Sequence, residues 1–344
     1  MLTQVIGNRV YDFSHTVGRR DLSTVIGVAI AFDDVVYLLT RPMEINPDAP
    51  WDRTGGMSKI GKYLIGGEWG SEELIVEFGK YGQGDGEFIW PAGIAIDTKQ
   101  NVYVTDEWLN RVVTYDSEGN FIGHWGEAGE NPGGLNRPSG IVADAEDNLF
   151  IVDGAANRVQ KFTADGSFLV GWGEFGTEHG QFDSPWGVTV DPDGNVYVVD
   201  HKNNRVQKFA PDGNFLASFG SYGTGRGELN RPSDVAIDPE GDVYVCDWGN
   251  SRIQIYEPDG TFITSLIGDA QRLSKWQQQN VDSNADVQKA RRRVYTLEPE
   301  WRFAMPTGLD FDVTRSRLIV ADTQRARVQI YNKVHDYIEP QYNL

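Results

Sequence analysis

Ser184–Val206 reads SPWGVTVDPDGNVYVVDHKNNRV, and its pattern of a proline, a glycine, apolar pairs, an aspartate and an arginine recurs along the chain. The prolines of the four best copies lie 47 residues apart, at Pro91, Pro138, Pro185 and Pro232. A fifth copy starts at Pro306, which is 74 residues after Pro232 and therefore follows an insertion of 27 residues. A degenerate sixth copy covers residues 25–40. Internal repetition of this kind indicates a repeat architecture.

Each repeat unit has the pattern of four short strands. In the copy around Pro138 the strands are predicted at Gly140–Ala143, Asn148–Val152, Arg158–Phe162 and Phe168–Trp172. Aspartate and glycine occupy the turns between such strands, because hairpins need residues that tolerate a positive φ. Four antiparallel strands repeated with a period in the forties are typical of a propeller blade. The sequence therefore predicts an all-β, six-bladed β-propeller of four-stranded antiparallel blades.

The two ends of the chain are predicted to close the ring together. The last copy stops after its third strand, Arg327–Tyr331, and Arg9–Ser14 forms a spare strand near the N-terminus that belongs to no unit. An unpaired sheet edge invites wrong pairing, and natural proteins cover it. We therefore expect Arg9–Ser14 to supply the fourth strand of the last blade.

Composition limits the classes of partner. The 344 residues are 40% hydrophobic, which is typical of a globular chain, and the repeats predict one propeller domain over residues 1–344. The net charge of −19 argues against a nucleic-acid ligand. Cys246 is the single cysteine, so no disulfide and no cysteine cluster for zinc is expected. No signal-peptide pattern and no apolar run of membrane-spanning length is present, so the cytoplasm is the expected compartment and a membrane partner is not expected.

The repeat unit P-x-G-[IV]-[AV]-x-D followed by [VL]-[YF]-[VI]-x-D and [NS]-R-[VI] resembles the NHL repeat. Within that superfamily the order of features is similar to the peptidyl-α-hydroxyglycine α-amidating lyases. The resemblance implies a catalytic arginine after the second strand of the first blade, where this chain has Arg41. It also implies three zinc-binding histidines directly after blade prolines, where this chain has Ala92, Trp186 and Thr307. None of these three ligates zinc as imidazole does, so the amidating reaction itself is not expected.

Loop positions at one end of each blade are predicted to form a ring around the mouth of the channel. The residue after each blade proline, or its equivalent, contributes Ile26, Ala92, Ser139, Trp186, Ser233 and Thr307. The residue after each second strand contributes Arg41, Glu107, Gly154, His201, Trp248 and Thr323. These positions vary while the strands around them repeat, which suggests a site. The repeated aspartates and arginines of the units are assigned to the scaffold instead.

Roles for these residues follow from their chemistry. Arg41 is predicted to anchor an anionic group, and His201 and Glu107 are predicted to transfer protons. Substrate binding is predicted for Trp108, Trp186, Trp248, Trp301, Ser139, Ser233 and Thr307. Two alternatives stay open: the tryptophans plug the channel as packing residues, and the histidine has a structural role.

Two insertions, residues 42–60 and 269–304, are expected to emerge on the same face as this ring and to act as a lid, with an interface role for the second left open. The second contains a helix candidate, Ser283–Val294, whose basic half is the cationic cluster of the chain. That cluster complements the helix dipole or meets an anionic substrate.

The sequence thus favours an enzyme of lyase or hydrolase type that acts on a small anionic or aromatic molecule at the channel mouth, without the zinc of the amidating lyases. The alternative is a non-catalytic NHL platform for a protein or peptide. No cofactor is predicted, and a divalent metal at a site of another kind stays open. The substrate and the oligomeric state do not follow from the sequence.

Overall fold

The computed structural model describes residues 3–6, 9–18, 24–32, 34–41 and 58–337. In chain order its strands are β1 (Thr3–Ile6), β2 (Arg9–Val17), β3 (Thr24–Ile30), β4 (Val35–Arg41), β5 (Lys59–Leu64), β6 (Glu73–Phe78), β7 (Lys80–Tyr81), β8 (Glu87–Phe88), β9 (Pro91–Ile96), β10 (Val102–Asp106), β11 (Arg111–Tyr115), β12 (Phe121–Trp125), β13 (Pro138–Ala143), β14 (Leu149–Asp153), β15 (Arg158–Phe162), β16 (Phe168–Trp172), β17 (Val188–Val190), β18 (Val196–Asp200), β19 (Arg205–Phe209), β20 (Phe215–Phe219), β21 (Val235–Ile237), β22 (Val243–Asp247), β23 (Arg252–Tyr256), β24 (Phe262–Leu266), β25 (Gly308–Asp312), β26 (Arg317–Asp322) and β27 (Arg327–Val334).

Six antiparallel sheets form the blades of a propeller, as predicted. Blade one is β3 to β6, blade two β9 to β12, blade three β13 to β16, blade four β17 to β20, and blade five β21 to β24. Blade six is β25, β26, β27, β2 and β1. The first strand of every blade contacts the first strands of both neighbouring blades, and blade six contacts blade one. The first strands therefore line the central channel of a closed ring.

The second strand of a blade forms its apolar centre. In β18 every residue is buried, and Val196, Tyr197, Val198 and Val199 supply its apolar side chains. Such β-branched and aromatic residues suit a strand that packs on both faces. The preceding turn is held by Asp191, which accepts hydrogen bonds from the backbone N–H of Asn195 at 2.8 Å and of Asp193 at 3.1 Å. The turn residues and the apolar run thus fix each hairpin locally.

Blade six is completed by the N-terminal strand. β2 pairs antiparallel with β27, with Val17 opposite Val328 and Val10 opposite Val334. This confirms that Arg9–Ser14 provides the fourth strand of the last blade, and the strand continues to Val17. β1 then adds a fifth strand that was not predicted.

The repeated aspartates and arginines belong to the scaffold, as predicted. A fully buried aspartate at the end of the second strand accepts a hydrogen bond from the arginine Nε five residues later in four blades, at Asp153–Arg158 (2.8 Å), Asp200–Arg205 (2.8 Å), Asp247–Arg252 (2.6 Å) and Asp322–Arg327 (2.7 Å). The aspartate also accepts a backbone N–H from the loop entering its blade, as Asp247 does from Asn230 at 2.7 Å. These pairs join the second and third strands of the four blades and hold the loops that enter them.

Helices occur mainly in the second insertion. They are α1 (Lys275–Ser283), α2 (Ala285–Arg293) and α3 (Glu298–Trp301), with one-turn 3-10 helices at Gly154–Ala156, Trp248–Asn250 and Thr323–Arg325. The candidate over Ser283–Val294 corresponds to α2, whose N-cap is Asn284. No helix in the described part of the chain is long and apolar enough to cross a membrane.

The helix α1, which was not predicted, packs against blades one and six. Its N-cap Ser274 donates a hydrogen bond to the carbonyl oxygen of Gly18 at 2.7 Å. The backbone N–H of Lys275 donates to the buried carboxylate of Glu72 at 3.1 Å, and the Trp276 ring meets the Tyr63 ring at 6.4 Å. Of the first insertion, residues 42–57 lie outside the described residues.

Candidate active site

A cavity of about 500 Å³ occupies the central channel and is lined by the first strands of all six blades. The six positions that follow the blade prolines, or their equivalent, all line it, at Ile26, Ala92, Ser139, Trp186, Ser233 and Thr307. From the positions that follow the second strands, Arg41, Glu107, Trp248 and Thr323 line it as well. Gly154 and His201 are not among its lining residues. No residue of 269–304 lines it either, so the lid stays a prediction.

Arg41 lies at the end of β4 and faces the cavity. Its guanidinium carbon lies 4.6 Å from the centre of the Trp90 ring, a cation–π arrangement. Burial lowers the pKa of Arg41, and the negative charge of Glu107 opposes this effect. Among the described residues its guanidinium has no hydrogen-bond acceptor or carboxylate within ion-pair distance. The channel therefore presents a cation whose five N–H donors lack a partner in the described chain.

Glu107 also lines the cavity, one blade away from Arg41. Its carboxylate forms an ion pair with Arg137 at 2.6 Å, and the Arg137 side chain is half exposed. Its backbone N–H donates to the carbonyl oxygen of Trp90 at 2.9 Å. The ion pair fixes Glu107 at the rim.

His201 is buried directly behind the cavity wall. Its Nδ1 lies 2.9 Å from the carbonyl oxygen of Pro232, and because a carbonyl only accepts, Nδ1 carries the proton. The ring packs on Trp186 with 4.0 Å between ring centres and lies 6.2 Å from Trp248. Burial lowers the pKa of His201 to about 4. The imidazole is therefore neutral near pH 7, with Nε2 as the acceptor nitrogen.

The four predicted tryptophans divide into two pairs. Trp186 and Trp248 line the cavity and meet edge to face, 6.5 Å apart between ring centres. Trp108 and Trp301 do not line it. Trp108 lies in the turn after β10, where its backbone N–H donates to Asp106 at 3.0 Å. Trp301 ends α3, and its carbonyl oxygen accepts the N–H of Ala270 at 3.1 Å.

The three predicted hydroxyls reach the next blade of the ring. The Ser139 hydroxyl donates to the carbonyl oxygen of Trp186 at 3.1 Å, and that of Ser233 donates to the carbonyl oxygen of Pro306 at 3.2 Å. The Thr307 hydroxyl lies 3.2 Å from the carbonyl oxygen of Ile26. Each hydroxyl proton is thus engaged in joining neighbouring blades, and the hydroxyl oxygens keep acceptor capacity toward the cavity.

Two acidic residues of the cavity wall were missed by the sequence reasoning. Asp234 and Asp310 both line the channel. Asp234 accepts the N–H of Leu309 at 3.0 Å, and Asp310 accepts the N–H of Ile30 at 3.0 Å. Burial raises the pKa of each to about 7. The signal was present, because Asp234 replaces the glycine that follows the ring residue in the other repeat units.

The residues at the positions of the family's zinc ligands do not fit zinc. Ala92, Trp186 and Thr307 do line the mouth together, but they offer a methyl group, an indole and a hydroxyl already bonded to neighbouring groups. Zinc sites need imidazole, thiolate or carboxylate ligands. The channel mouth therefore lacks the donor set that the resemblance implies.

Elsewhere in the described part of the chain, Asp238, Glu240 and Asp242 bring three carboxylates within reach of one ion. The ammonium group of Lys333 forms ion pairs with all three, at 2.9 Å for Asp242. Arg9 adds a second cation on Asp242 at 2.6 Å. Protein cations therefore already neutralise this cluster, which joins blade five to blade six.

Comparisons with known proteins agree with the repeat pattern. A family model described as NHL repeat matches residues 182–209 and 229–256. Protein lin-41 of Caenorhabditis elegans is 50% identical over 48 residues, which are 14% of this chain and 4% of that protein. This chain thus aligns with a small part of that relative.

Solved structures with the same fold cover nearly the whole chain. A streptogramin B lyase has a TM-score of 0.57 at 14% identity, covering 96% of this chain and 100% of that one. XC5397, a gluconolactonase from Xanthomonas campestris, has a TM-score of 0.58 at 13% identity, covering 96% and 91%. A catalytically inactive virginiamycin B lyase from Staphylococcus aureus with quinupristin has 0.57 at 12% identity, covering 94% and 100%. At these identities the likeness shows the fold: the chain is a six-bladed β-propeller, and the NHL repeat model matches segments of its fourth and fifth blades.

Proposed function

We propose that this propeller is an enzyme of lyase or hydrolase type that acts on a small anionic or aromatic molecule at the mouth of its channel. The observation that carries the proposal is the guanidinium of Arg41, which faces the cavity over Trp90 without an acceptor among the described residues. A carboxylate of the substrate would supply that acceptor through a charge-assisted, two-pronged hydrogen bond. The cavity volume falls in the range of small-molecule sites, about 300–1,000 Å³.

Proton transfer is assigned to His201 and Glu107 in this proposal. The neutral imidazole has its proton on Nδ1 and therefore offers Nε2 as a base. Glu107 is a carboxylate on the cavity wall one blade from Arg41. Trp186 lies between His201 and the cavity, so a role for His201 requires the substrate to displace this indole or to insert beside it. Trp186 and Trp248 would contact the apolar part of the substrate.

Support also comes from the printed names of the solved propellers, which include lyases and a gluconolactonase. Those activities belong to these proteins. They favour an enzyme because propellers of the same fold are named as a lyase and a gluconolactonase. Zinc is left out of the proposal because the residues at the family's ligand positions do not fit it.

A screen of small carboxylates by thermal shift, followed by turnover assays on the hits, tests the proposal. We expect a bound carboxylate to raise the melting temperature of the wild type and of Arg315→Ala, a control that removes an exposed arginine. Arg41→Ala should lose the shift, and His201→Ala should keep binding but lose turnover. If Arg41→Ala and His201→Ala both leave binding and turnover unchanged, the site assignment is wrong.

The alternative is a platform for a protein or peptide, and exposed aromatic residues favour it. Phe175 and Tyr222 occupy the same place in successive loops between blades and are 69% and 73% exposed. A platform would lose its partner on replacement of these two residues by alanine and would not respond to Arg41→Ala. The enzyme would show the opposite pattern.

A further inference from the structure

The channel wall holds unpaired charges of both signs. Arg41 lacks an acidic partner among the described residues, and Asp234 and Asp310 form no ion pair with any described lysine, arginine or histidine. The aspartates at the ends of four second strands do have such partners, as Asp322 has in Arg327 at 2.7 Å. Buried charges are normally paired, because an isolated ion loses its hydration. The cavity wall thus brings together one cation and two acids that have no ion-pair partner among the described residues.

Asp234 occupies a position where packing favours glycine. The equivalent residue in the other blades is Gly27, Gly93, Gly140, Gly187 or Gly308. A Cβ on Gly140 would lie 2.3 Å from the carbonyl oxygen of Trp186 in the next blade, and one on Gly93 would lie 2.5 Å from that of Ser139. Blade five instead carries a carboxylate here that faces the cavity. One oxygen of this carboxylate accepts the N–H of Leu309 in blade six at 3.0 Å, and acceptor capacity remains on the group for a ligand.

Asp310 breaks a second internal row, two residues further along the inner strand. The equivalent positions hold Ala29, Ala95, Val142, Thr189 and Ala236. The Asp310 carboxylate accepts backbone N–H groups of Ile30 at 3.0 Å and Phe311 at 2.8 Å, and it lines the cavity. These two bonds leave further acceptor capacity on both oxygens, since a carboxylate has about four lone-pair sites.

The unpaired groups form a continuous arc of the channel wall. Trp186 belongs to blade four, Asp234 to blade five, Asp310 to blade six and Arg41 to blade one, and blade six contacts both blade five and blade one. A single molecule in the cavity of about 500 Å³ meets an aromatic surface, two carboxylates and a guanidinium in that order. Opposite charges spaced along one wall select a ligand with complementary opposite charges.

We propose that the channel binds an amphoteric ligand, with a carboxylate on Arg41, a protonated amine on Asp234 and Asp310, and an apolar or aromatic portion on Trp186. This inference rests on the proposed function, because it names the substrate class of the same site. The ligand supplies the cation that the two acids lack and the anion that the guanidinium lacks. Molecules of this class include amino acids and short peptides with free termini.

Isothermal titration with three probes that share a phenyl ring tests the proposal. Phenylalanine carries both charges, 3-phenylpropanoate carries only the carboxylate, and phenethylamine carries only the amine. We expect phenylalanine to bind at least about tenfold more tightly than either other probe, because each extra charge-assisted contact contributes on this scale. Equal affinities for the three probes, or no binding of phenylalanine, would overturn the proposal.

Variants taken from the other blades keep the test independent of folding. Asp234→Gly and Asp310→Ala introduce residues that equivalent positions already carry, and Asp165→Asn removes a carboxylate from an exposed turn as the control. Circular dichroism checks that each variant is folded. The first two variants should reduce affinity for phenylalanine and phenethylamine at least about tenfold and leave 3-phenylpropanoate unchanged. Asp165→Asn should change none of the three affinities.

Failure of this inference differs from failure of the proposed function. If Arg41→Gln abolishes binding of 3-phenylpropanoate while Asp234→Gly and Asp310→Ala leave all affinities unchanged, the anion site stands and the amphoteric class is wrong. If the predicted affinity pattern appears and no turnover is found for any amphoteric compound, the ligand class stands and the enzyme assignment fails.

Discussion

Replacing Gly140 with alanine tests how closely the inner strands of the ring approach one another. Gly140 lies on β13, and its backbone N–H donates to the carbonyl oxygen of Trp186 in the next blade at 2.8 Å. An added Cβ would lie 2.3 Å from that same oxygen and 3.0 Å from the Cα of Gly187. Both neighbours are backbone atoms, which have no rotamer change available. Blades three and four must therefore separate to admit one methyl group.

The expected cost combines two effects. Forcing a methyl into a packed contact costs about 1–3 kcal/mol, and weakening the buried hydrogen bond costs about 0.5–1.5 kcal/mol. Their sum lowers the free energy of unfolding by roughly 1.5–4.5 kcal/mol. Gly123→Ala is the matched control, because Gly123 lies on the outer strand β12 and a Cβ there meets nothing within 4 Å. Alanine in that strand should be neutral or stabilising by at most about 1 kcal/mol.

Urea unfolding followed by circular dichroism measures both variants. Gly140→Ala should lower the midpoint while the slope stays the same, since the surface exposed on unfolding does not change. It should also weaken ligand binding, because the displaced carbonyl belongs to Trp186 of the cavity wall. A Gly140→Ala variant as stable as Gly123→Ala would refute the close contact between blades three and four.

Three further outcomes are expected. Burial lowers the pKa of His201 to about 4, so the stability that its neutral form contributes is present above about pH 6.5 and is lost as the pH falls through 4. Nuclear magnetic resonance should show the imidazole titrating near pH 4. A midpoint near pH 6.5 would contradict its burial. Lys333→Met should cost about 3–5 kcal/mol, because buried Asp238 loses its cation and Asp242 keeps only Arg9. Calcium should raise the melting temperature of this variant and not of the wild type. Arg327→Met should lower the free energy of unfolding in urea by about 3–5 kcal/mol, because the Arg327 side chain is 1% exposed and pairs with buried Asp322. Arg315→Met should lower it by under about 1 kcal/mol, because the Arg315 side chain is 53% exposed.

The fold was predictable because each blade is specified by local chemistry that repeats. The strands Arg158–Phe162 and Phe168–Trp172 have the predicted bounds, since turns and apolar runs alone define them. The helix α1 was not predictable in the same way. Its sequence has little amphipathic character, and it is held by Ser274 and Trp276 through contacts with blades one and six. Long-range packing of this kind leaves no periodic signal along the chain.

The candidate site was predictable in position and less so in role. Counting from each blade proline placed Ser139, Trp186 and Ser233 on one ring, and all three line the cavity. The sequence does not show that the Ser139 hydroxyl donates to the carbonyl oxygen of Trp186, because the partner lies 47 residues away in the next blade. Whether a polar side chain faces a ligand or a neighbouring blade depends on the gap between blades. The repeat alone does not give that gap.

Departures from the repeat are informative inside the strands as well as in the loops. A loop position varies cheaply, because its side chain has room, so variation there is weak evidence for function. A position on an inner strand is constrained by the facing blade, as the 2.3 Å approach at Gly140 shows. Asp234 breaks such a constrained row and places a half-buried carboxylate on the cavity wall. An acid in that place loses hydration, and its hydrogen bond from the N–H of Leu309 offsets part of that cost. In our proposal a cationic group of the ligand offsets the rest. The strongest sign of function in this propeller therefore lies in the row where its repeat has least freedom to vary.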